Sequence, residues 1–485
     1  MNVVALWMTA ALAALLALAG CSHVLPLPAA PPNPEDANAS FPRLEDRNDL
    51  LIGVALSGGG SRAAYFGAQG LEALASLRHG DRSILQSVTH LSSVSGGSVA
   101  ASYFAMEKPP GRTAVLKPDG TLSPEYRNFF DAYQTAMAKN FQGALEWRQV
   151  YKFRWLNSSK RATSLAEVLD AEFLHGRTLG DLYVREQHGD SPRLILNSTL
   201  YNNGRRFVTT TLPADDFKYD FITRFEKELQ EKEHIMRPLP AALTRSRDAL
   251  NPLGFQDFGA DPRKVHLSYG VAASASFPFF IGPVTVQIEG QDTYLHAGDG
   301  GLFDNQGTES LVELLLKKIA AAQAANKPMR ALVIAFDSSF PFAANNDLYK
   351  WTENGFDIFV KDPGRIVGIM EQRANSYQAL LWHILQGKHV VLPGDEIIQV
   401  IVIRHTEDVW PREMKDLPVE LVAACRDDGI EFPTREALLR RLALIETLFK
   451  LPSACDKALL REAAFRAVDS KKREIAEFLA GTTAH

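Results

Sequence analysis

The chain carries no surplus of positive charge: 52 Lys and Arg stand against 57 Asp and Glu in 485 residues, a formal net charge of −5. Such a balance leaves a nucleic acid backbone no basic field to find, so nucleic acid is not expected as a partner. No His, Cys or acidic cluster has the spacing of a metal site, and neither a metal nor any other cofactor is expected. The run SGGGSR lacks both the Lys-Ser/Thr ending of a P-loop and the GxGxxG spacing, which ranks a nucleotide-binding reading last. No internal repeat is evident. What is present, 46% hydrophobic and 22% charged residues, suits a globular protein with a large core.

The first twenty residues stand apart. Val3 to Ala19 is an apolar run broken only by Thr9, and it ends in the small residues Leu18-Ala19-Gly20-Cys21. The segment resembles a secretory signal peptide closed by a lipobox (residues 1–20). That resemblance implies a diacylglyceryl group on Cys21 and a cell-envelope location, lipid-anchored to the membrane. The n-region has no Lys or Arg, and a plain signal anchor is the competing reading. Ser22 in place of the Asp that retains lipoproteins at the inner membrane points to the outer one. Residues 21–48, rich in Pro, Ala, Asn and acids between Pro26 and Pro42, read as a tether. With Cys21 lipidated, Cys425 and Cys455 are left as an even pair in an oxidising compartment, so a disulfide between them is expected; two isolated buried thiols are the alternative.

From Leu50 the pattern alternates. A strand to Leu56, a helix from about Ala63 to Leu77, a strand from Val88 to Val94 and a helix from Ser98 to Met106 make a βαβα opening, which predicts an α/β fold with helices on both faces of a mostly parallel sheet. Further strands are expected at Leu194–Asn197, Phe207–Thr211, Val284–Ile288, Ala331–Phe336 and Ile397–Ile403, with a hairpin turn at Asn202-Asn203-Gly204. The α/β domain is placed at residues 49–410. Within it, about 108–188 form a helical insertion rich in aromatics and bases, including Phe129, Phe130, Trp147, Arg148, Tyr151, Lys152, Phe153, Arg154 and Trp155. That mixture suits a membrane interface, but at helical spacing most aromatics are core, which is the stronger reading. Residues 411–485 read as a C-terminal helical extension without chemical motif; Leu438, Leu442, Ile445 and Phe449 share one helical face, and a second run contains Leu459, Ala463, Val468 and Ile475.

Two junctions carry chemistry. Leu50–Leu56 runs into Gly58-Gly59-Gly60 and Arg62, and Val88–Val94 delivers Ser95 onto Gly96-Gly97. A serine on a sharp strand-to-helix turn stands clear of the sheet and attacks an ester, while glycines entering a helix present N–H groups to the oxyanion formed. A third piece, Gly298-Asp299-Gly300-Gly301, sets an acid in an uncrowded turn where a general base can stand.

In this order, SGGGSR, SVSGGS and DGG resemble the patatin-like phospholipase family. Its GGGxR oxyanion motif is met by Gly58, Gly59, Gly60 and Arg62. Its GxSxG motif is met at Ser95 and Gly97, with Ser93 where the first glycine belongs, and its Asp-Gly-Gly motif falls on Asp299, Gly300 and Gly301. The Ala-Ser-x-Ala-x-Pro block is approximated by Ala273, Ser274 and Pro278, with Ser276 replacing Ala. The resemblance covers roughly Leu50 to Ile403. It implies a three-layer α/β/α fold and a dyad, Ser95 as nucleophile and Asp299 as proton acceptor, acting on phospholipid, lysophospholipid or another carboxylic ester through an acyl-enzyme, without a metal.

Several residues keep two readings. Arg62 either meets an anionic headgroup or supports the oxyanion loop or, preferably, clamps the structure by pairing with a nearby acid. His383, His389 and His405 follow Asp299 in the order of a Ser-Asp-His triad, but none sits in a motif resembling a catalytic loop; His296 is read as structural. Phe277, Phe279 and Phe280 are candidates for an acyl-pocket wall. A catalytically silent scaffold with a binding or envelope-organising role is the alternative function. Acyl and headgroup preference, sn-position and oligomeric state have no signal in the sequence.

Overall fold

The structure, a computed structural model, describes residues 24–31, 41–46, 49–152, 154, 158–217, 251–278, 281–339, 374, 376–377 and 398–481. Strands β1 (Leu25–Leu27), β2 (Leu50–Leu56), β3 (Val88–Val94), β4 (Arg193–Leu200), β5 (Arg205–Thr210), β6 (Val284–Ile288), β7 (Tyr294–Asp299), β8 (Arg330–Asp337) and β9 (Ile398–Arg404) form one sheet. Its order is β1-β6-β7-β4-β3-β2-β8-β9, with β5 paired to β4 as well. The half from β4 to β9 is parallel, while β5, β6 and β7 add antiparallel pairings.

Central strands are apolar on both faces because both are covered. In β2, Ile52, Val54 and Leu56 join the larger core, under α1 (Gly60–Ala75) and α2 (Gly96–Glu107). Leu51 and Ala55 turn to the smaller core with Leu311, Leu314 and Leu315 of a helix from Thr308 to Ala324. Every residue of α1 is buried, as befits a helix packed against the sheet on one side and other helices elsewhere. The three-layer α/β/α expectation is therefore met. The insertion is helical too, with α3 (Pro124–Met137), α4 (Phe141–Tyr151), α5 (Ser158–Leu169) and α6 (Leu179–His188).

Three expectations change. The 21–48 segment does not behave as a tether where it is described: Leu25–Leu27 is the parallel edge partner of β6, Phe41 is buried and stacks on Tyr183, and Lys318 bonds Asp46 at 2.5 Å. Its alternating Leu-Pro-Leu completes an otherwise open edge, which burial of Leu25 and Leu27 stabilises. The aromatics of the insertion divide. Phe129 and Phe130 are core, whereas Trp147 and Tyr151 are each 70% exposed; Phe153 and Trp155 lie outside the described residues.

The third change is in the tail. The apolar spacing through Phe449 predicts a continuing helix, but α7 (Arg435–Ala443) stops early and residues 445–449 run on without regular structure. The freed carbonyls of Ile445 and Leu448 instead accept bonds from Arg62 and Ser61, so tertiary partners outweigh local propensity. Beyond it, α8 (Ala454–Leu479) packs on α1 and β9. Cys425 and Cys455 are joined in a disulfide.

Candidate active site

Ser95 sits between β3 and α2 with φ 52° and ψ −122°, a backbone conformation that costs a non-glycine residue on the order of 1–3 kcal/mol. Its surroundings hold it there. The Ser95 N–H donates to Ser274 Oγ at 3.0 Å, and Ser274 Oγ–H donates to the Asn197 carbonyl at 2.6 Å. With that proton committed, the 2.8 Å contact between Ser98 and Ser274 has Ser98 as donor, and Ser93 donates to Ser98 at 3.0 Å. The serine that replaces the family's leading glycine thus begins a buried hydroxyl chain under the nucleophile. Ser274 is the site residue that sequence reasoning underused: its motif was visible, its role was not.

Register brings the acid alongside. On β4, Asn197 pairs with Val94 and the next residue, Ser198, pairs with Asp299. The opposite edge of β4 is taken by β5, so β3 and β7 occupy the same edge, one after the other. Asp299 Oδ1 accepts the Gly301 N–H at 2.8 Å, within the short 3-10 turn that Gly300 and Gly301 begin. Oδ2 is buried and has no hydrogen-bond partner of good geometry among the described residues. Burial pushes the carboxyl up to about 7, against the lowering influence of the Gly301 N–H and the Ser95 hydroxyl. The Ser95 hydroxyl therefore lies near enough to act on the acid without closing an ideal bond.

The glycine loop differs in detail from the expectation. Gly58 N–H is not free, since it donates to the Asn305 carbonyl at 2.8 Å. The N–H groups of Gly59 and Gly60 have no acceptor among the described residues. Gly60 has φ 59°, and a Cβ there would meet the Leu448 carbonyl at 2.4 Å; one on Gly96 would meet the Gly60 carbonyl at 1.9 Å. Glycine at these two positions lets the loop and the nucleophile turn touch backbone to backbone. Gly97 lies in the first turn of α2, at the positive end of the helix dipole and two residues after Ser95.

Arg62 is fully buried and structural, though not through the expected acid: Nη1 donates to Ile445 O at 2.5 Å and Nη2 to Ser338 O at 2.7 Å. His405 is buried near Phe66 with Nδ1 3.5 Å from the Asp337 carbonyl, and burial together with Arg62 holds its pKa down to about 3. His296 Nδ1 meets Thr285 Oγ1 at 2.9 Å, while His383 and His389 lie outside the described residues. Among the described residues no group of three or more His, Cys, Asp or Glu could hold a metal.

A cavity of about 180 Å³ opens on Ser95 and Gly60, lined by Leu145, Phe277, Ile281, Leu448 and Phe449. Phe279 and Phe280 are outside the described residues. A larger cavity, about 530 Å³, is bordered by Leu51, Val88 and Arg193 at the opposite ends of the strands and holds neither Ser95 nor Asp299. The smaller one is the candidate site, because Ser95 lines it and it lies at the carboxyl ends of the strands, where open α/β sheets bind ligands.

No curated protein matches the chain. Among solved structures, human GIVD cytosolic phospholipase A2 is similar at 12% identity and a TM-score of 0.41, over 89% of this chain and 60% of that one. The same enzyme in complex with methyl gamma-linolenyl fluorophosphonate and terbium chloride is similar at 13% identity and a TM-score of 0.41, over 91% and 60%. The chain thus spans about 60% of the length of these structures. The family profile described as patatin-like phospholipase matches residues 54–312, from the strand before the glycine loop through the aspartate turn into the helix that follows. By that match, over more than half its length, the chain belongs to the patatin-like phospholipase family.

Proposed function

We propose that the protein is a serine lipid acyl hydrolase working through Ser95 and Asp299. The observation that carries this reading is a strained serine at a strand-to-helix turn beside a buried aspartate whose pKa, about 7, suits a base at neutral pH. Asp299 Oδ2 takes the hydroxyl proton as Ser95 Oγ bonds to the ester carbonyl carbon. The carbonyl electrons move to oxygen, where the Gly59 and Gly60 N–H groups stabilise the oxyanion. Collapse breaks the ester C–O bond, and the leaving alcohol takes the proton from Asp299. A water then loses a proton to Asp299, attacks the acyl-enzyme, and releases the carboxylic acid as the proton returns to Ser95.

The apolar cavity lining suits an aliphatic acyl chain. Trp147, Val150 and Tyr151 are exposed on α4, whose Leu145 and Gln149 line that cavity, so a lipid surface is the substrate's expected setting. Anchoring through a lipidated Cys21, with location at the outer membrane, belongs to the same proposal and rests on the N-terminal sequence alone.

The test is fluorophosphonate labelling and turnover of a p-nitrophenyl acyl ester series, beside Ser95→Ala and Asp299→Asn. Labelling lost in Ser95→Ala and turnover abolished in both variants supports the dyad. A folded wild type that neither labels nor turns over any ester, even with micelles, would leave a silent scaffold.

A further inference from the structure

The C-terminal extension lies beyond the residues that the family profile matches, yet it reaches the reactive cavity. Three hydrogen bonds tie residues 445–449 to the site: Ser61 N–H to Leu448 O at 2.7 Å, Arg62 Nη1 to Ile445 O at 2.5 Å, and Gln142 N–H to Phe449 O at 2.8 Å. Ser61 and Arg62 directly follow the oxyanion glycines, and Gln142 lies in the first turn of α4, another wall of the cavity. Thr447, Leu448 and Phe449 themselves line the space above Ser95. Phe449 also packs on the main core, so the segment has a fixed footing.

We propose that residues 445–449 are a working part of the active site: they seat the oxyanion loop and, through Thr447, Leu448 and Phe449, determine which acyl chains enter. The inference rests on the hydrolase reading. Leu448 and Phe449, together with Leu145, Phe277 and Ile281, give the cavity an apolar lining, the chemistry that recognises a hydrocarbon chain. Gln142, Glu146, Gln149 and Thr447 add polar groups to that lining, and the reacting groups of the proposed mechanism on it are the Ser95 hydroxyl and the Gly60 N–H. A substrate whose carbonyl sits on them has its chain directed along a wall that the extension supplies. The wall is held from both sides, by the core contact of Phe449 and by the disulfide that ties Cys455, just beyond it, to Cys425.

The experiment compares the full chain in detergent with Leu448→Trp, Phe449→Ala and Thr447→Trp on p-nitrophenyl esters from acetate to palmitate, alongside fluorophosphonate labelling of Ser95. Thr447 is exposed at the mouth, so its variant folds whether or not the other two do. Leu448→Trp and Thr447→Trp are expected to lower the ratio of kcat/KM for palmitate to that for acetate about tenfold or more; Phe449→Ala shifts the preferred chain length upward. Chain-length profiles that superimpose on an active wild type overturn this inference alone. A wild type inert toward every ester overturns the hydrolase reading, and this inference with it.

Discussion

Ser95 and Asp299 come together through a third strand: Asn197 of β4 pairs with Val94 and its neighbour Ser198 pairs with Asp299, so the strand carrying the nucleophile and the strand carrying the acid abut on one edge of β4. Two residues two hundred positions apart become neighbours by register, which a sheet specifies strongly because a slip of one residue would exchange its buried faces.

The acid should govern the pH profile. Asp299 must be ionised to accept a proton, and burial holds its pKa at about 7. Expected kcat/KM is therefore low at pH 5, rises through pH 7 and levels above it. A profile already flat at pH 5 would show that Asp299 is not the base.

The same burial makes a stability prediction of definite sign. A carboxyl whose folded pKa, about 7, lies above its unfolded value favours the folded state below pH 4, and that advantage is lost as pH rises through 7. Asp299→Asn, which removes the ionisation, should thus stabilise the protein at pH 8 by roughly 4 kcal/mol and by much less at pH 4. Thermal melts at the two pH values would measure it.

Ser274→Ala removes the acceptor of the Ser95 N–H and the middle of the hydroxyl chain. Leaving a buried donor unsatisfied costs about 1–3 kcal/mol. The expected result is a loss of kcat of roughly ten- to a hundredfold with KM little changed, since Ser274 positions the nucleophile without lining the cavity. Unchanged kcat would mean that the elbow holds its shape without this bond.

Reducing or removing the Cys425–Cys455 bridge opens a loop with 30 residues of separation and should cost about 3–4 kcal/mol of stability. The loop contains residues 445–449, so fluorophosphonate labelling of Ser95 should slow before the protein melts. Equal labelling rates in the oxidised protein and in Cys425→Ser/Cys455→Ser would separate the bridge from the site.

Trp147 and Tyr151 are exposed beside the cavity, and Arg148, Lys152 and Arg154 all pair with the single carboxylate of Glu167, leaving this end of α4 basic. Trp147→Ala/Tyr151→Ala should weaken binding to anionic liposomes and spare turnover of soluble esters. Undiminished liposome binding would assign the contact elsewhere.

The local chemistry was legible in the chain itself. Apolar runs ending in glycine marked β2 and β3, and the three short motifs located Ser95, the glycine loop and Asp299, because strand-to-helix turns and oxyanion loops need those residue types within a few positions. Long-range facts were not legible. Nothing local says that Gly58 spends its N–H on Asn305, or that Ser274 holds Ser95 in place. The apolar spacing from Leu438 to Phe449 predicts one helix, and only the buried donors of Ser61 and Arg62, nearly four hundred residues away, explain why it unwinds after Ala443. Short-range sequence determines which groups are present and which turns they can make; tertiary structure decides which donors meet which acceptors, because a buried polar group must find its partner wherever in the chain it lies.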